Sequence, residues 1–474
     1  MILKVAVRSL MVHPVRSLVL ACGFGLGVGV MATLLGVGAV ILVQARSPGL
    51  VGGGDVVVAS ATGQVPSARW ILSSALRGGD LGNRVANASP TRSATLYLIR
   101  DGRRVPIRVR GGIPSLERGV GDPETTTIAS WVDADSDRAW ASPDPAAALR
   151  DLDRFHPIPD VPARADSWAE WLYFNGRAGG NRFYLTFLVG PKRSAGMRAV
   201  GVRLQLDEAG ERSSYSAAGD ANDVAVVREA PDLTIGSSGV RLEGMRYHVT
   251  IDLPIENSSS AARAVRGGRI RGDLFIEALR GRAVPPLTIQ GAGGWVSGYV
   301  VPVMSGRLTG RLTMDGKVVS FDGGIGYHDH NWGFWKDVSW RWGQVQHENL
   351  SVVYGRIYPP ADAADPERIL GFIAVLSPQG TVGYSTNVSI DQTDDPATGQ
   401  PRRIVVEGHS SSLDLILELA PEDVVISRTG GGSFGGGGLD FLQLGGRYRV
   451  RGTAGGRSID FTAAGSAETF RGRR

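Results

Sequence analysis

The chain has 474 residues, 42% of them hydrophobic and 20% charged; this is globular composition, it excludes a disordered chain, and it is too long for one ordinary core. The net charge is +5, but the excess Arg is scattered, as in Arg100-Asp101-Gly102-Arg103-Arg104, and no basic block with interleaved aromatics points to nucleic acid. A single cysteine, Cys22, excludes a disulfide framework and a CxxC metal site within the chain.

The first predicted element is a transmembrane helix. The 29 residues between Arg16 and Arg46 carry no formal charge, and a bilayer core needs roughly 20 apolar residues in a helix. Lys4, Arg8 and Arg16 precede the run and only Arg46 follows closely, so the N-terminus is expected in the cytoplasm and the body outside. Gly23/Gly27 and Gly25/Gly29 have the small-xxx-small spacing of packed membrane helices. Arg8-Ser9-Leu10, His13-Pro14-Val15-Arg16-Ser17-Leu18 and the Gly-rich helix resemble the first helix of MacB/FtsX-type ABC permeases. Gly52-Gly53-Gly54-Asp55-Val56-Val57-Val58 is similar to the strand such permeases place outside the membrane. No further run could span a bilayer, and no GxxxxGK[ST] loop is present, so neither a whole permease nor its ATPase is expected. The resemblance implies an accessory of an ABC-type export system, with permease or ATPase subunits as partners.

Residues 47–150 read as an extracytoplasmic, permease-like segment and linker. Thr95–Arg100 and Val105–Arg110 flank Asp101-Gly102, which predicts a hairpin. Residues 121–150, rich in Asp, Pro, Ser and Ala, read as linker, with a short helix expected around Pro145–Phe155. From Trp168 onward short alternating or β-branched runs are separated by turn residues, which predicts barrels or sandwiches. So many strands exceed one small barrel, and a division is expected near 305, giving domains 151–305 and 306–474.

Two signatures carry a second resemblance. The first is Ala169-Glu170-Trp171-Leu172-Tyr173-Phe174-Asn175-Gly176, followed by Arg182-Phe183-Tyr184-Leu185-Thr186-Phe187. The second is Gly326-Tyr327-His328-Asp329-His330-Asn331-Trp332-Gly333. Over roughly 155–474 the chain resembles the AttH/carotenoid 1,2-hydratase family, whose opening motif has a second Trp where Leu172 stands. The resemblance implies a mainly β fold: two lipocalin-like β-barrel domains side by side, here preceded by the single transmembrane helix. It implies an extended hydrophobic ligand, an isoprenoid or lipid. The alternative it implies is an enzyme that adds water to a polyene or cyclises it.

On a strand, His328 and His330 face one way and Tyr327, Asp329 and Asn331 the other. These groups either contact a ligand or satisfy buried backbone. Metal binding by His328, His330 and His347 is a third possibility, set aside because the resembled family is not a metal family; no cofactor is expected. Glu170, among Trp168, Trp171 and Tyr173, is either a buried acid or an acceptor for backbone N–H groups. The candidate catalytic residues are His330, Trp332, Asp329 and Tyr354. The candidate ligand contacts are His328, Glu170, Trp171, Tyr173, Asn175, Trp295, Tyr327, Asn331, Trp340, Trp342 and Arg356. The hydratase branch pairs a Tyr with an Asp two positions on. Here Tyr354 is followed by Arg356, which cannot act as a general acid, so hydratase activity is expected to be weak or absent. His156, His248 and His409 carry no expected role.

Overall fold

The computed structural model describes residues 12, 14–15, 53–59, 65, 68–75, 84–101, 103–123, 125, 130–141, 144–193, 196–228, 231–256, 268–279, 282–429 and 439–472. The expected membrane helix and its Gly spacing lie outside these residues. Among the described residues no helix is long and apolar enough to cross a membrane. Asp55–Val58, compared above with a permease strand, form no strand.

The chain divides into two compact units, Met1–Val65 with Asn87–Ala141, and Pro66–Ala86 with Ser142–Arg474. The first contains the expected hairpin, β1 (Thr91–Arg100) and β2 (Arg103–Gly112), in register from Thr91↔Gly112 to Arg100↔Arg103. Asp101 takes φ 49° at its tip, the left-handed conformation that a tight hairpin turn requires. The side chain of Glu117 accepts hydrogen bonds from Ser89 Oγ (2.8 Å) and Thr91 Oγ1 (2.7 Å), tying the helix Pro114–Gly119 to the hairpin. The stretch 121–150 is not simply linker: it carries the helices Asp135–Ala141 and Pro145–Leu152. The second of these meets the expectation of a helix near 145. Asp144 caps it, accepting from the N–H groups of Ala146 and Ala147, and Pro145 supplies the fixed φ of a first helical residue.

The second unit is built on two antiparallel sheets. The first contains β3 (Trp168–Ala178), β4 (Asn181–Lys192), β5 (Met197–Glu208), β6 (Glu211–Asn222), β7 (Leu233–Ile235), β8 (Ser238–Glu243), β9 (Arg246–Pro254), β10 (Arg269–Glu277), β11 (Val284–Gln290), β12 (Val296–Met314), β13 (Lys317–Ser320) and β14 (Gly324–Phe334). Its path runs β6-β5-β4-β3-β14-β12-β10-β9-β8-β7, with β11 and β13 paired to β12. The sheet curls until β6 meets the chain just beyond β9: Tyr215 bridges Ile255, and the Glu256 N–H donates to the Ser214 carbonyl at 2.7 Å. Barrel-like closure removes all but short edges.

The second sheet contains β15 (Ser339–His347), β16 (Leu350–Tyr358), β17 (Phe372–Ser377), β18 (Gly380–Ser385), β19 (Asn387–Asp394), β20 (Pro401–Ser410), β21 (Leu413–Thr429), β22 (Leu439–Ala454) and β23 (Arg457–Gly472), ordered β18-β17-β16-β15-β23-β22-β21-β20-β19. Side chains tie the end strand β18 to β20, the strand beside the other end: Ser385 Oγ donates to the His409 carbonyl (2.6 Å) and Ser410 Oγ to the Tyr384 carbonyl (2.8 Å). The chain passes between the sheets after Phe334 and before Ser339, not near 305. Position 305 lies inside β12, a 19-residue strand whose alternation is masked because Ser297–Gly306 is buried throughout. The mainly β expectation holds, with two nearly closed, barrel-like sheets.

β3 and β14 are adjacent, and nearly every residue of both is buried. One face looks into the first barrel. The other is covered by the second sheet, where Trp342 Nε1 donates to Tyr327 OH (2.8 Å) and Gln443 Nε2 to Tyr173 OH (3.3 Å). The helix Pro145–Leu152 buries Leu149 and Leu152 in the same core as the first barrel's apolar side chains. Each large apolar side chain so buried contributes roughly 1.5–3 kcal/mol. Together they fix the helix, and with it the residue that follows, Asp153.

Candidate functional site

The helix Pro145–Leu152 delivers Asp153 into the first barrel, where it meets the inward side chains of β14. Asp153 Oδ1 accepts from His330 Nδ1 (2.9 Å), and Oδ2 accepts from His328 Nε2 (2.9 Å) and Tyr247 OH (2.7 Å). His328 Nδ1 also lies 2.9 Å from the Tyr173 carbonyl, so both ring nitrogens are engaged. The Phe174 ring stacks on His328 at 4.1 Å. His330 extends the chain through Nε2, which donates to Glu170 Oε1 at 3.1 Å. Glu170 Oε1 also accepts from the backbone N–H (2.8 Å) and Nδ1 (2.7 Å) of His156. A continuous path therefore runs from Asp153 through His330 and Glu170 to His156.

Asp153, Glu170, His328 and His330 are fully buried, whereas the His156 side chain is 29% exposed. The path thus begins in the core and ends at the surface. The His156 ring lies flat on Trp332, 3.9 Å between centroids at 17°. Its Nε2 has no hydrogen-bond partner among the described residues. Around it the segment Phe155-His156-Pro157-Ile158 is apolar, and Phe155 meets His330 edge-on at 5.1 Å.

The electrostatics follow from these contacts. Burial pushes the His330 imidazolium toward deprotonation, but the hydrogen bonds and charges of Asp153 and Glu170 outweigh it and lift its pKa to about 9. Burial pushes Asp153 up, and the facing histidines His328 and His330 more than reverse this, holding the carboxyl well below its ordinary range. Glu170 is lowered in the same way, its burial outweighed by His156 and His330.

Glu170 has a second neighbour. Arg198, fully buried on β5, places Nη2 3.9 Å from Glu170 Oε2 and Nη1 3.7 Å from Asp223 Oδ1. His156, Glu170 and His330 present donor atoms all within 4.8 Å of one another, a spacing that metals use. The arrangement fits shared protons better. Both His330 nitrogens already donate to carboxylates, and the Arg198 cation stands where a metal would add to its charge.

The other face of β14 holds a separate network. Asn331 Nδ2 donates to Asp329 Oδ1 (2.5 Å), and Gln344 Nε2 donates to Asn175 Oδ1 (3.2 Å). Burial raises Asp329 to about 7 despite its hydrogen bond from Tyr327, and it raises Glu468 on β23 as well, with the Asp329 charge adding to the effect. Trp171, Trp340 and Trp342 are buried in an aromatic stack on this side: Trp171 lies 5.7 Å from Trp340, and Trp340 lies 5.9 Å from Trp342. Trp295 is buried with Nε1 donating to the Phe334 carbonyl (2.9 Å).

Of the expected site residues, the structure brings together His328, His330, Trp332 and Glu170. It separates Tyr173, Asn175, Tyr327, Asp329 and Asn331 onto the opposite face of the same two strands. Tyr354 is not beside His330: it lies in the second sheet's core, where its hydroxyl meets that of Tyr448 at 3.0 Å. Arg356, on the same strand, donates to the Pro366 carbonyl (3.1 Å) and sits over the Tyr358 ring. Tyr354 and Arg356 therefore do not stand beside His330, and the expectation of weak hydratase chemistry that rested on this pair loses its ground. The buried cation there is Arg198.

Sequence reasoning missed Asp153, His156, Tyr247 and Arg198. Arg198 had a signal, because it shares the phase of Val200, Val202, Leu204 and Leu206, a basic residue on an apolar strand face. Asp153 and His156 follow a short helix and meet residues far along the chain, and no local pattern marks them.

No family model matches the chain, and no curated protein matches it. Among solved structures, the crystal structure of CghA with Sch210972 is 11% identical with a TM-score of 0.39, covering 68% of this chain and 94% of that one. A second CghA crystal structure is 12% identical with a TM-score of 0.39, covering 67% and 93%. A porin-like protein from Bacteroides uniformis ATCC 8492 is 11% identical with a TM-score of 0.13, covering 66% and 98%. Likenesses at this level say nothing of activity.

Proposed function

We propose that the chain is a lipocalin-like protein that takes an extended hydrophobic molecule, an isoprenoid or lipid, at the His156–Trp332 end of the first barrel and exchanges a proton with it. One observation carries the reading: the partly exposed His156, backed by a buried carboxylate, stands at the surface end of a buried ionic path and lies flat on an indole. Glu170 fixes the ring by accepting from Nδ1, which leaves Nε2 directed away from it, the arrangement of a general acid or base. No Ser, Thr or Cys side chain hydrogen-bonds His156 among the described residues, which favours proton transfer over acyl transfer. Proton delivery from a partly exposed imidazole suits hydration or cyclisation of an alkene.

Incubation of the purified protein with acyclic isoprenoids in heavy-oxygen or deuterated water tests this. Label in the product, lost in His156→Gln, is the expected result. Binding of the same compounds without label in any product would leave a plain hydrophobic-ligand binder. That second reading is favoured by Asp153 and His330, whose polar atoms are all satisfied within the fold.

The charge-free run after Arg16 supports a single inner-membrane anchor with the body outside, and the permease-like residues Arg8–Leu10 and His13–Leu18 are the ground for proposing an accessory to an ABC-type exporter. Protease added to spheroplasts should digest the body; its protection would remove this part of the proposal.

A further inference from the structure

We infer that Arg198, Glu170 and Asp223 form a seat for one hydroxyl group, inside the barrel and next to the proton path; this rests on the reading above. Arg198 is 0% exposed. Its Nε donates to the Gly190 carbonyl (3.0 Å), which holds the guanidinium in place. Its Nη1 and Nη2 hydrogen-bond nothing among the described residues, and neither do Glu170 Oε2, Asp223 Oδ1 or the indole N–H of Trp168. The separations of 3.9 and 3.7 Å to the two carboxylates are too long for hydrogen bonds. An oxygen set to one side of either line, roughly 2.8 Å from both ends, bridges it. Leaving such groups unpaired in a core is costly, and more so for charged ones.

The charges select the guest. Arg198 faces two carboxylates that other cations also meet, Lys192 at 3.4 Å from Asp223 Oδ2 and His330 at 3.1 Å from Glu170 Oε1, so the charges are balanced within the fold and an uncharged guest is favoured. The guest must accept from the guanidinium and donate to a carboxylate. An uncharged O–H group does both; a carbonyl, an ether or an alkene does not. The O–H group belongs either to a bound water or to the alcohol end of the hydrophobic ligand.

Titration of the full-length protein with farnesol and with its saturated hydrocarbon counterpart, followed by Trp fluorescence, separates the two sources. A ligand hydroxyl in the seat makes the alcohol bind roughly ten- to a hundredfold more tightly. Arg198→Met should abolish that preference and Arg198→Lys restore part of it. A bound water predicts equal affinities, with one ordered oxygen within hydrogen-bond distance of Arg198 in a high-resolution crystal structure. Equal affinities with no such oxygen overturn the inference. If neither compound binds, the ligand reading of the barrel fails, and the ordered oxygen alone decides the seat.

Discussion

Two ionised carboxylates cannot lie in an apolar barrel unless cations meet them, and His330 is the residue that meets both. Its pKa of about 9 exceeds that of an unfolded imidazole, near 6.5. The sign follows from linkage. Below pH 6.5 both states hold the proton and the stabilisation is complete. Between 6.5 and 9 the unfolded chain loses its proton first, and above 9 the contribution is gone. Asp153 and Glu170 act oppositely: their carboxyls are lowered, so their contribution is present above the ordinary carboxylate range and is lost as acid protonates them. Melting temperature should therefore fall as pH rises from 7 to 9, reflecting roughly 2 kcal/mol. His330→Gln should be less stable at pH 6.5 and lack that fall. An unchanged slope in the variant would mean that His330 is not the titrating group.

At the scale of the strand, β14 works because its neighbours make room. Gly298 on β12 pairs with Trp332, and a Cβ there would come within 2.4 Å of the indole ring. Gly298→Ala should push the ring off His156 and cost roughly 1–3 kcal/mol. The loss should largely disappear when Trp332→Leu is added, because a smaller side chain relieves the clash. Denaturant melts of the two single variants and the double variant check this, and additive losses would show that the ring is not the obstacle. Strand alternation told in advance that His328 and His330 oppose Tyr327, Asp329 and Asn331, and the Asp101-Gly102 hairpin was equally plain. Alternation could not say what lies opposite each face. That depends on Asp153 and His156, brought in by a helix that the sequence marks only with Asp144 and Pro145, and on β15 and β23, which arrive later in the chain. Tyr354 was misplaced because position along a strand does not say which sheet the strand joins.

One apolar cluster joins the two sheets of the second unit: Trp340, Trp342, Phe372 and Phe470 of the later sheet pack with Trp171, Trp295 and Trp335, while the later sheet keeps a second cluster of its own around Tyr354 and Tyr448. The expected division near 305 failed for this reason, since composition and turn spacing do not change where β12 crosses it. A fragment ending at 305 keeps β3 but loses β14, the strand hydrogen-bonded between β3 and β12. It should aggregate or remain unfolded. The span 144–472 should unfold in one cooperative transition, with Trp fluorescence and far-ultraviolet circular dichroism changing together. Two separated transitions would show that the sheets are energetically independent.

From Gly326 to Trp335 not one residue faces solvent. Most strands have an idle side on which substitutions accumulate at little cost. This stretch has none, because one compartment claims the even positions and another claims the odd. A saturation-mutagenesis map should show ten consecutive intolerant columns there, without the every-other-residue stripe of an ordinary barrel strand. An unbroken motif of eight residues can thus stand out in a single sequence for geometric reasons, before any of its members is assigned a chemical task.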